Sequence, residues 1–155
     1  MNRCLVIVGV QEEKMRLIDK RKAKEIMHYI HTASDQYEST IAVVRKAIRG
    51  SNNFKSQDGS VNAIVDDNEA MLEYAVDNVI VTSGYDMDCF ALRNDLEYDI
   101  IGISTAASVL TIAMSLYSRG YKVRVLSKYT TDRKGPKLEK AAIEIMNAYM
   151  PGVYV

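Results

Sequence analysis

Tryptophan is absent from the 155 residues, and cysteine, histidine, proline and phenylalanine occur twice each. Two cysteines, Cys4 and Cys89, are too few and too far apart for a disulfide framework or a metal-ligand spacing, a usage that fits the reducing cytosol. The two histidines, His28 and His31, stand three apart on a helical stretch with no third ligand beside them. They are read as a solvated helix face, and no metal is expected. An excess of charge of one sign is also lacking. Twenty basic and twenty acidic residues cancel to a net charge of zero, so the sequence carries no electrostatic footprint for nucleic acid or an anionic membrane surface. A surface of low net charge favours self-association, and a homo-oligomer is expected. The apolar run that follows Met1-Asn2-Arg3 is too short for a signal peptide or a membrane span. The expected location is the cytoplasm.

What is present is a chain with 48% hydrophobic residues, enough to bury one core at this length, with no repeat, low-complexity tract or linker. A single domain over 1–155 follows. Cys4 to Val10 is a continuous Val- and Ile-rich run, as in a strand buried on both faces of a parallel sheet. From Met15 to Ala33, Leu17, Ile18, Ala23, Ile26, Met27 and Ile30 recur at helical intervals. Strands are predicted over Thr40–Val44, Val79–Thr82, Asp99–Ser104 and Lys122–Leu126, with a short sixth over Val153–Val155. The polar segment from Arg49 to Ser60 reads as a loop, and Glu69–Val76 as a helix introduced by Asp66, Asp67 and Asn68. A last helix opens at Pro136 and stops before Pro151-Gly152. Strands alternating with helices give an α/β fold, a doubly wound, Rossmann-like parallel sheet of five to six strands with helices on both faces.

The segment Gly102-Ile103-Ser104-Thr105-Ala106-Ala107-Ser108-Val109-Leu110 reads as strand, tight turn and helix start, the place where α/β proteins bind ligands and hold nucleophiles. It resembles the Gly-x-x-Thr-x-x-Cys-Val-Leu turn of the isochorismatase-like hydrolase superfamily, which includes nicotinamidases and N-carbamoyl amidohydrolases. Val6-Ile7-Val8-Gly9-Val10-Gln11 is similar to that family's apolar strand followed by Asp-x-Gln. Ser118-Arg119-Gly120-Tyr121 and the strand after it resemble its Gly-Tyr-x-Val-x-Val stretch. The resemblance spans nearly the whole chain and implies the isochorismatase-like hydrolase fold. It also implies a mechanism with a Cys nucleophile at the helix N-terminus, an Asp base after the first strand and a Lys after the third. The pocket it implies gathers Gln11, Arg45, Thr105, Ala107 and Ser108.

The chain departs from that mechanism at every triad position. Gly9 stands where the family has its Asp, Ser108 where it has its Cys, and Ser83 falls near the Lys position in a segment without lysine. The family's Asp-x-His metal pair matches Lys46 and Ile48, just after Arg45, so that site is lost and no cofactor is expected. Ser108 either caps the helix together with Thr105 or acts as a nucleophile with a base brought by folding. Gln11 either hydrogen-bonds a ligand or ties loops together. Cys89, with Asp86 and Asp88 nearby, is either a small apolar filler or a relocated thiol. Tyr117, Tyr121, Tyr149 and Tyr154 are candidates for a subunit interface. The leading expectation is a pseudoenzyme that binds a small molecule or serves in assembly, and the alternative is a divergent amide or ester hydrolase using Ser108 or Cys89.

Overall fold

A computed structural model describes residues 2–45, 76–82 and 92–155. Ser83, Cys89, the loop expected from Arg49 to Ser60 and all but the last residue of the helix expected over Glu69–Val76 lie outside the described residues. The elements in chain order are β1 (Arg3–Val8), α1 (Glu12–Met15), α2 (Lys20–Ala33), β2 (Ser39–Arg45), β3 (Asn78–Thr82), β4 (Glu97–Ile103), a π-helical turn (Thr105–Val109) running into α3 (Leu110–Ser118), β5 (Lys122–Thr131) and α4 (Pro136–Tyr149).

The five strands form one parallel sheet in the order β3-β2-β1-β4-β5. The expected sixth strand is reduced to a parallel bridge between Val125 and Tyr154. Three backbone hydrogen bonds between the tail and β5 accompany it, Val125 N–H to the Val153 oxygen at 2.7 Å, Ser127 N–H to the Val155 oxygen at 2.7 Å, and Val155 N–H to the Val125 oxygen at 3.0 Å.

The strands are apolar on both sides because helices cover both. Leu5, Ile7, Ile101 and Ile103 face one layer with Ile26 and Ile30 of α2, while Val6, Val8, Ile100 and Val125 face Ile112 and Leu116 of α3 and Met146 of α4. Each fully buried Ile or Leu contributes about 2–3 kcal/mol relative to exposure, so these two layers dominate the stabilisation. One helix differs from its expected extent. The stretch from Met15 to Ala33 is interrupted, because Asp19 caps a fresh helix by accepting the amides of Arg21 at 2.9 Å and Lys22 at 3.0 Å. An aspartate that bonds amides two and three residues on ends one segment and starts the next. Among the described residues, no helix is long and apolar enough to cross a membrane.

The strand order sets where a ligand can bind. The chain runs outward from β1 through β2 to β3, then returns to the other side of β1 to lay down β4 and β5. The carboxyl ends of β1 and β4 therefore flank the point where the winding reverses. Loops leaving that point diverge to opposite faces and open a crevice between them.

Candidate functional site

Two loops form the crevice, Gly9–Gln11 after β1 and Ser104–Ser108 after β4. Two glycines allow them to approach. Gly102 has φ +122°, and a Cβ there would lie 1.9 Å from the Val8 carbonyl oxygen on the neighbouring strand. Only glycine fits. Gly9 has φ +60°, and its Cβ would lie 2.4 Å from the Ile103 carbonyl oxygen and 3.0 Å from the Lys14 Nζ. The position that resembles the family's Asp is thus closed to any side chain by backbone as well as by sequence. The space beside it is taken by an ammonium group from α1. No sequence pattern signalled Lys14, because its place depends on the left-handed turn at Gly9.

After β4 the Ile103–Ser104 peptide is cis, and Thr105–Val109 forms a single π turn before α3 begins. Ser104 is 7% exposed, Thr105 fully buried and Ser108 8% exposed. The expectation that Ser108 and Thr105 cap this helix is corrected by the structure. The free Ala106 amide is accepted at 2.8 Å by Oδ2 of Asp132, just past β5, whose Oδ1 accepts the Lys134 amide at 2.8 Å. Thr105 turns its hydroxyl to Glu139 Oε1 at 3.4 Å. Burial pushes the Glu139 carboxyl up, with the Thr105 hydrogen bond and the Lys22 charge opposing that rise and the Asp132 charge adding to it. Lys22 also ties α2 to β5 by donating to the Lys128 carbonyl at 2.8 Å.

Of the residues expected to line a pocket, Gln11, Thr105, Ala107 and Ser108 all fall on the loops at this edge. Gln11 is 4% exposed, and its backbone starts α1. Arg45 ends β2 on the same edge. Among the described residues, neither the Ser104 nor the Ser108 hydroxyl makes a hydrogen bond. Asp132 was missed in sequence, although an aspartate directly after a strand and before Lys134-Gly135-Pro136 has the composition of a side-chain-bonded turn. Among the described residues, no group of His, Cys, Asp and Glu is arranged to hold a metal.

No family model and no curated protein matches the sequence. Solved structures do match. Pyrazinamidase/nicotinamidase from Streptococcus mutans superposes with a TM-score of 0.71 over 99% of both chains at 14% identity. The chain has the fold of the nicotinamidases. An isochorismatase-like hydrolase from Alkaliphilus metalliredigens gives a TM-score of 0.69 at 11% identity, covering 96% of this chain and 92% of that one. The MAR1 ribonuclease from Caenorhabditis elegans gives 0.65 at 16% identity, covering 99% of this chain and 76% of that one. Proteins described as a nicotinamidase, an isochorismatase-like hydrolase and a ribonuclease thus share one scaffold, so the scaffold does not select a reaction. On the isochorismatase-like fold, function has to be argued from the crevice.

Proposed function

We propose that this chain is a non-hydrolytic member of the isochorismatase-like fold that acts in the cytoplasm by binding a small molecule in the crevice between β1 and β4. The observation that carries the reading is Gly9, whose Cβ would collide with the Ile103 carbonyl oxygen at 2.4 Å. A carboxylate base cannot be placed there without moving β1 against β4. A serine hydroxyl with no base in reach is a poor nucleophile, and Ser108 makes no hydrogen bond among the described residues.

The alternative is a hydrolase that uses Ser108 or Cys89 as nucleophile. The two readings part on turnover. Nicotinamide, carbamoyl amino acids and a broad ester and amide panel should be consumed no faster by the native chain than by the Ser108→Ala, Cys89→Ala double variant. Turnover that those two substitutions abolish would establish the hydrolase and end the non-hydrolytic reading.

Self-association belongs to the same proposal. It is supported by Leu138, Ile145 and Tyr149, which are 43%, 37% and 73% exposed on one stripe of α4, together with Met114 and Tyr117 at 43% and 41% on α3. Large apolar side chains grouped on one layer are a common mark of a contact surface. Light scattering on the purified chain tests it, and a monomer at every concentration would remove assembly from the proposal.

A further inference from the structure

We infer that the crevice is selective for an oxyanion, a carboxylate or phosphate group of a small molecule, received by the Lys14 ammonium and the hydroxyls of Ser104 and Ser108. The inference rests on the ligand-binding reading of this crevice and names the chemical class that it takes.

Three observations converge. The Lys14 Nζ stands 3.0 Å from the point where a Gly9 Cβ would lie, and that point is 2.4 Å from the Ile103 carbonyl oxygen, so the ammonium sits beside the Ile103–Ser104 peptide at the winding reversal. Lys14 is half-buried and also engaged within the protein. An ammonium has three donors, so an internal contact leaves capacity for a ligand oxygen. Ser104 and Ser108 are more than nine-tenths buried, and neither hydroxyl has a partner among the described residues. A buried hydroxyl left without a partner carries an uncompensated desolvation cost, which a bound acceptor would recover.

Two acidic side chains lie on the β5 side of the crevice. Asp132 stands at the carboxyl end of β5 with its oxygens accepting the Ala106 and Lys134 amides, and Glu139 is against Thr105. Like-charge repulsion from these two carboxyls disfavours an anion on the β5 side. A neutral amide at the same place could accept the serine hydroxyls but would lose the charge-assisted bond, which is about twice as strong as a neutral one.

The test is calorimetric titration of the full chain at matched ionic strength with benzoate against benzamide, nicotinate against nicotinamide, phenyl phosphate and inorganic phosphate. At least one oxyanion should bind with a dissociation constant below about 1 mM, and an acid should bind about tenfold or more tightly than its amide. Lys14→Met should weaken that anion about 10- to 100-fold, whereas Lys14→Arg keeps most of the affinity. The carboxylate and phosphate arms identify which oxyanion is preferred. Ser108→Ala, which removes one buried hydroxyl and adds neither bulk nor charge, should weaken anion binding about tenfold with the fold retained, so the outcome does not depend on Lys14→Met folding.

Amides that bind as well as their acids, with no response to Lys14→Met or Ser108→Ala, would overturn the inference while leaving the crevice a ligand site. If none of the probes binds below about 1 mM, the inference also falls. Native mass spectrometry of the chain purified from its own host then judges the ligand-binding reading separately, and that reading fails if no small molecule is retained.

Discussion

Arg124 holds Asp99 through two hydrogen bonds, from Nε to Oδ1 at 2.7 Å and from an Nη to Oδ2 at 2.6 Å, although Asp99 lies fully buried in the middle layer of the sheet. Tyr37 adds a third donor to Oδ2 at 2.9 Å, and its own hydroxyl meets that of Tyr29 at 2.8 Å. A buried carboxylate is tolerated only when paired and hydrogen-bonded, and this one is. Arg124→Met would leave the charge to Tyr37 alone. The expected loss is about 3 kcal/mol of unfolding free energy, the low end for breaking a buried pair because the arginine side chain is 35% exposed. Replacing both partners, as in Asp99→Leu with Arg124→Met, should restore most of it. Urea denaturation measures both variants, and a single variant as stable as the native chain would refute the assignment.

The same network predicts a loss of stability in alkali. Burial is the first cause raising the phenols of Tyr29 and Tyr37 above their usual 10.0, with the Asp99 charge adding to the rise in both. Burial likewise raises Tyr98 and Tyr154 and pushes the Cys4 thiol from 9.0 to about 11. The folded state thus prefers all five groups neutral, while the unfolded chain ionises its thiols near pH 9 and its phenols near pH 10. By linkage the stability contribution is complete below pH 9 and is lost as the pH rises through and beyond these values. The urea midpoint should be flat from pH 7 to about 9 and fall steeply above about pH 10. In Tyr37→Phe that fall should be shallower.

Much of this architecture is legible in sequence because each strand is an apolar run and each helix a periodic one, so the alternation and the order of elements follow from burial alone. The boundaries that differ are set by groups that burial does not govern. β4 begins at Glu97 rather than Asp99, because Glu97 pairs with Arg3 and Lys122 on the adjoining strands, a polar tie at the sheet's amino edge. β5 continues to Thr131 through a register jump, Ile100 facing Val125 but Gly102 facing Thr130, which no period of two could announce. Ser108 lies in the turn after β4 and Gln11 at the start of α1 after β1, as the strand order implies. Lys14 and Asp132 had no such signal, since one depends on a single glycine's dihedral and the other on a cap supplied from a different strand.

Asp132 should prove structural. It joins the start of the π turn to the turn before α4, satisfying two amides that no helix interior can reach. Asp132→Ala is expected to cost about 1–2 kcal/mol, the usual value of a side-chain cap. It should also lower the Glu139 pKa, because the Asp132 charge is one cause that raises it. Thermal unfolding and carbon-detected titration of the glutamate carboxyls check the two effects, and an unchanged Glu139 would show that the two carboxyls do not sense each other.

Gly9 makes the decisive prediction about ancestry and chemistry. If hydrolysis on this fold needed only the side chains that the resemblance implies, Gly9→Asp with Ser108→Cys would supply two of the three. The backbone argues otherwise. A Cβ at φ +60° meets the Ile103 carbonyl oxygen at 2.4 Å, backbone that cannot swing aside like a side chain, and Lys14 Nζ at 3.0 Å. The left-handed conformation alone costs a non-glycine residue about 1–3 kcal/mol, and the collision adds to it by forcing β1 away from β4. The double variant should therefore be destabilised by more than about 2 kcal/mol in urea and should hydrolyse neither nicotinamide nor carbamoyl amino acids. Adding Lys14→Ala should relieve part of the strain without restoring turnover, since the carbonyl contact remains. A stable, active Gly9→Asp variant would mean that the turn after β1 relaxes to admit a carboxylate, and the crevice would then be a dormant hydrolase site rather than a converted one.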